Sequence, residues 1–126
     1  MLFSELKGHI LQKIDLIDGV IWLETDKVTG KIEAFGDCCS TGWIGELQYG
    51  ALPIEIIEAS CGDEYNDREV VEHNDPRLPS GDNYWDHVVL YPGNIKTATG
   101  LITFNVWNNS NGYYGSSLHF TQLSEK

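Results

Sequence analysis

The chain has 126 residues, 41% of them apolar, and its 19 acidic against 8 basic side chains give a formal charge of -11. That length suits a single domain, residues 1–126, with a core of its own. The only arginines are Arg68 and Arg77, so the chain lacks the basic stripe that releases counterions from a phosphate backbone, and direct nucleic-acid binding is not expected.

Leu2 to Lys7 reads as one helical turn stopped by Gly8, and His9 to Leu16 as a strand. Glu5, Lys7 and Asp15 interrupt the opening MLFSELKGHILQKIDLIDG, which therefore reads neither as a signal peptide nor as a membrane span. Asp18-Gly19 is a turn signal, VIWLETD alternates as a strand, DKVTG is a loop of hairpin length, and KIEAFG returns as the next strand. GDCCSTGWIGELQYG is rich in glycine, and the expectation there is irregular structure with a helical turn near Trp43 to Gln48. ALPIEIIEASCG gives a strand after Pro53.

Between Asp63 and Asn83 the composition turns polar and charged, which predicts a long surface loop or partly helical excursion. YWDHVVLYPG resumes strand character, GNIKTATG reads as a turn-rich connection, and LITFNVW puts Ile102, Phe104 and Val106 on one face. Asn111-Gly112 predicts a hairpin that brings this strand against the last one, where Leu118 and Phe120 share a face. The resulting expectation is an α+β fold rich in β: a mainly antiparallel, curved sheet of about six strands with one or two short helices.

Three candidate constellations stand out. Between Glu55 and Asp75 eight carboxylates face one arginine, Arg68, and Asp63, Glu64, Asp67, Glu69 and Glu72 are its candidate binding residues, suited to the basic surface of another protein. The bland alternative is a solvated loop kept apart by its own repulsion. The second constellation is NNSNGYYGSS, residues 108–117, where Trp107, Asn109, Asn111, Tyr113 and Tyr114 combine rings and amides as a recognition surface or a stacking platform for a small planar ligand, against the plain reading of a hairpin tip. The third, Cys38, Cys39 and Cys61 with the histidines, lacks the spaced pairs of a structural zinc site, so no metal and no cofactor is expected. An odd cysteine count also fits a reduced, cytoplasmic setting.

Signatures of nucleophilic catalysis and phosphate-binding glycine loops are missing, so the expectation is a protein that is not an enzyme, with an unfamiliar site around His87 and His119 as the minor alternative. The last strand, if it lies at an edge, offers a route to a homo-oligomer.

The runs LFSELKGHILQKI, GDCCS at Gly36 to Ser40 and NGYYGSSLHF at Asn111 to Phe120 resemble, in the same order, a family of small proteins of unknown function encoded by bacteriophages and prophages. The resemblance implies a setting, the cytoplasm of an infected bacterium, and a role in binding and blocking a host or defence factor. A sponge that sequesters a small cyclic nucleotide is the other reading.

Overall fold

The computed structural model describes residues 1–36, 40–61, 67–72, 74–78, 87–110 and 116–126. Among these residues a single 3-10 turn, Phe3–Leu6, precedes nine strands: β1 (Ile10–Ile17), β2 (Val20–Thr25), β3 (Val28–Gly36), β4 (Ser40–Gln48), β5 (Ile54–Cys61), β6 (Glu69–Val71), β7 (His87–Thr97), β8 (Gly100–Ser110) and β9 (Ser116–Glu125). Among the described residues there is no α-helix, so the β-rich antiparallel character holds while the helical component and the count of six do not. The added strands come from segments whose glycines or charges hide the alternation.

All pairings are antiparallel, in the order β4-β8-β7-β5-β1-β2-β3-β9, with β6 beside β7. β5 makes the corner: its Ile54 and Glu55 pair with β1, whereas Ile56 to Cys61 pair with β7. A strand that changes partner part-way lets a sheet fold over on itself. Leu11, Ile21 and Ile32 from one half thus share a core with Ile44, Ile95, Phe104 and Val106 from the other. Asp18 and Gly19, with φ of 52° and 76°, form the tight turn between β1 and β2 that two residues of positive φ permit. The Gly19 carbonyl accepts a 2.9 Å bond from the Ile44 N–H, which fastens this hairpin tip to β4.

The next turn is shorter than the loop expected from DKVTG. Buried Thr25 accepts 3.1 Å bonds from the N–H groups of Lys27 and Val28, so the chain reverses over Asp26 and Lys27 alone. The Thr25 hydroxyl also donates to the Val28 carbonyl at 3.4 Å and lies within hydrogen-bond distance, 2.9 Å, of Nδ1 of buried His9. Burial, and then Lys27, hold the His9 imidazole below its ordinary 6.5, with Asp26 opposing.

Two further expectations are corrected. GNIKTATG is mostly strand, because β7 continues to Thr97 and reverses over Ala98 and Thr99. The expected hairpin of the last two strands is absent: β9 pairs with β3 from Val28↔Glu125 to Gly36↔Ser116, because both edges of β8 are already occupied by β7 and β4. Residues 108–110 belong to β8, and Asn111, Tyr113 and Tyr114 lie outside the described residues.

Candidate functional site

The acidic excursion is folded down onto the sheet. The chain leaves β7 after Cys61↔Gly93 and rejoins the same strand at Glu69↔Leu90. Pro92 lies in the gap, and a proline has no N–H to give a partner strand. On its return the segment buries Val71 and Leu78 against Val88, Leu90 and Trp107, a second apolar cluster on the sheet face opposite the main core. The expected loop is therefore, in its described part, a flap with a short strand and buried anchors of its own.

Arg77 ties the flap together. Asp75 Oδ1 accepts from the Arg77 backbone N–H at 2.9 Å, a turn that the intervening Pro76 favours. The guanidinium then reaches both Asp75 oxygens, through Nε at 3.0 Å and Nη2 at 2.8 Å, and Glu69 at 3.1 Å. Hydrogen bonding to Arg77 holds the Asp75 carboxyl at about 2, and Asp75 and then Glu69 raise the guanidinium further above its already high range. The same guanidinium sits 5.5 Å from the centre of the Trp107 ring. Two of the flap's acids are thus compensated by an arginine lying just beyond the acidic run counted from the sequence.

Trp107 is the anchor beneath. It exposes 0% of its surface and lies opposite Trp43 across the β4–β8 pair, the rings parallel to within 1° and 5.7 Å between centres. Its indole N–H donates to Glu46 at 2.9 Å, and the Asn105 side-chain N–H donates to the same Oε1 at 3.1 Å. Glu46 is present on this face because of a bulge. The register of β4 on β8 shifts between Gly45↔Asn105 and Gln48↔Thr103, with one extra residue on β4, and Glu46 takes a φ of 53°. Ile44 and Leu47 accordingly pack on the main core, while Glu46 joins Gly45 on the outer face. Strict alternation would have aimed the carboxylate inward. A Cβ on Gly45 would lie 3.1 Å from Trp107 Nε1, so a residue without one leaves the indole room.

Beyond Glu46 the outer face opens into a shallow depression of about 360 Å³, lined by Glu46, Gln48, Asn94, Leu101, Thr103 and Asn105 among others. It adjoins the flap's apolar cluster through the Glu46–Trp107 bond.

The structure distributes the sequence-derived candidates unevenly. Asp67, Glu69 and Glu72 lie exposed on the flap. Trp107, expected as a recognition ring, is enclosed, and half-buried Asn109 pairs with Thr41 and Val88 inside the sheet. Asp63 and Glu64 fall outside the described residues. His119 stands exposed on β9, edge-on to Phe35 at 5.0 Å and 2.9 Å from Ser117 Oγ. The flap packs on β7 and β8, strands that are not neighbours of β9. Trp43, Glu46, Arg77 and Asn105 were not singled out from the sequence. For Arg77 a signal was present, because Asp-Pro before an arginine at the end of an acidic run marks a turn able to fold that arginine back.

Among the described residues no three His, Cys, Asp or Glu side chains gather as a metal site, and no helix is long and apolar enough to cross a membrane. Comparison of the chain with protein-family models, curated proteins and solved structures gives no match. The resemblance to phage and prophage proteins therefore rests on the quoted motifs alone.

Proposed function

We propose that the chain is a non-enzymatic binding protein that attaches, through its acidic flap face, to a positively charged protein surface, in the setting of the resemblance a host or defence factor. The observation that carries this reading is the clamping of the flap. Val71 and Leu78 are buried, Arg77 is bound to Asp75 and Glu69, and Trp107 lies beneath, so Asp67, Glu72 and the 60%-exposed Val70 are presented from a held surface. A solvated loop repelled by its own charge needs no buried anchors. Preorganisation lowers the entropy lost on binding, and the overall charge of -11 speeds encounter with a basic partner.

The planar-ligand reading loses support at Trp107, whose ring a ligand reaches only by displacing Trp43 or Arg77. The test is affinity capture from bacterial lysate with three baits: the unmodified chain, Asp67→Lys/Glu72→Lys, and a control reversal on other strands, Asp15→Lys/Glu125→Lys. A specific partner retained by the first and third baits and lost by the second is expected. No specific partner, or equal retention by all three, overturns the proposal.

A further inference from the structure

The depression beside the flap has a chemistry of its own. Two donors at its wall are engaged, the Trp107 indole N–H and one Asn105 N–H, and both end on Glu46 Oε1. What this group leaves to an incoming molecule is Glu46 Oε2, with a single long contact of 3.3 Å to Trp107, and the carbonyl oxygen and second N–H of the Asn105 amide. Asn94, whose Oδ1 already accepts from the Ser60 hydroxyl at 3.4 Å, adds amide N–H groups, Gln48 and Thr103 add groups that both donate and accept, and Leu101, 57% exposed, gives the rim an apolar patch. Lys96 pairs with Leu101 at the far end of the face and with Glu58 across β5, and it does not line the cavity. Glu46, the one charged residue of the lining among the described residues, therefore favours a ligand that brings N–H donors, positive charge and a short apolar stem. Anions are repelled by the carboxylate.

We infer that this depression is a docking site for an arginine side chain carried by the protein partner, the guanidinium meeting Glu46 and its methylene stem lying along Leu101. The inference rests on the binding reading above and names the residue type that reading leaves open. Two features favour guanidinium over ammonium, and a third favours any cation. The cavity is shallow and open, so a strongly hydrated ammonium keeps its water there, while the weakly hydrated, planar guanidinium gives up less. Its five donors, set in a planar fork, also serve a carboxylate and an amide oxygen more fully than the three of a compact ammonium. The carboxylate is also aimed in advance: the bulge places Glu46 on this face, and the indole and amide hold it there, so little side-chain freedom is lost when a cation arrives.

The experiment uses the intact chain and N-acetyl-arginine amide, with the lysine analogue and methyl glucoside as comparisons, followed by backbone NMR. The arginine probe is expected to shift the signals of Glu46, Asn94, Thr103 and Asn105 at millimolar concentration, at least about fivefold more tightly than the lysine probe. Glu46→Gln, which can still accept the indole and amide N–H bonds, should weaken the arginine probe about tenfold or more. Leu101→Arg, at an exposed rim position, should compete with it. Silence up to tens of millimolar, equal binding by Glu46→Gln, or preference for lysine or glucoside overturns the inference. Failure here leaves the flap reading standing if Asp67→Lys/Glu72→Lys still abolishes capture. Failure of the capture test leaves an arginine site standing if the NMR titration succeeds.

Discussion

If Trp107 is the anchor under the flap, truncating it should be among the most damaging single changes in the chain. The ring is fully buried, and removing a buried tryptophan costs about 3–5 kcal/mol in lost transfer energy and residual cavity. Trp107→Ala also takes the indole N–H from Glu46, but that carboxylate is half-exposed and water replaces the bond, so the added loss is about 1 kcal/mol. For a domain of this size each kcal/mol corresponds to roughly 3–5 °C in Tm, which places Trp107→Ala about 12–30 °C below the unmodified chain. Trp107→Phe keeps most of the ring while losing the N–H, and should cost about 1–2 kcal/mol. Urea unfolding gives these differences, as a shift in midpoint at unchanged slope. Limited trypsin digestion adds a local readout, since Arg68 and Arg77 lie on the flap: cleavage there should accelerate in Trp107→Ala under conditions where the whole chain stays folded. A loss below about 1 kcal/mol, without faster cleavage, refutes the anchoring role.

Other consequences follow from single contacts. A Cβ at Gly93 would stand 2.2 Å from the Phe104 ring, in the main core, so Gly93→Ala should destabilise by about 1–3 kcal/mol through overpacking. In a Phe104→Leu background much of that penalty should vanish, and additive losses in the double-mutant cycle would place the ring elsewhere. His9 has its pKa lowered by burial, so the unfolded chain takes up that proton first. Its contribution should be complete above about pH 6.5 and fall away as the pH drops through that value towards the folded pKa. Melts at pH 7 and pH 5 should show a smaller drop for His9→Gln than for the unmodified chain, and equal drops count against the buried neutral imidazole. The Asp75 carboxyl, held by Arg77, should titrate near 2 by carboxyl-carbon NMR, so its ion pair with Arg77 is intact above the ordinary carboxylate value and is lost as the pH falls through about 2. A midpoint close to 3.8 contradicts that geometry.

The first meander was legible because its signals are local. Asp18-Gly19 sets the turn, and Ile21, Leu23 and Ile32 alternate cleanly into the core. β4 was not, since STGWIGELQ carries glycine beneath a tryptophan and a bulge that breaks the period of two, leaving Glu46 on the face that alternation denies it. The pairing of β9 with β3 was equally hidden. Asn111-Gly112 argues for the nearest neighbour, and only the full sheet shows that β8 has no free edge to offer. In the candidate site, Asp67, Glu69 and Glu72 could be read from charge alone, as exposed acids. Trp107 read as a surface ring because nothing in its own strand reveals that Val71, Leu78 and Arg77 return to cover it. Glu46, Trp43 and Asn105 meet Trp107 only through the β4–β8 register, which one sequence does not display.

Attachment through the flap is tested most directly by the Kd of the captured partner at about 50 and 300 mM salt, concentrations that bracket strong and weak screening. The unmodified chain should bind roughly tenfold more weakly at the higher salt, and Asp67→Lys/Glu72→Lys should lose about as much again at the lower. A Kd indifferent to both salt and charge reversal would contradict the claim that an acidic, clamped surface makes the contact.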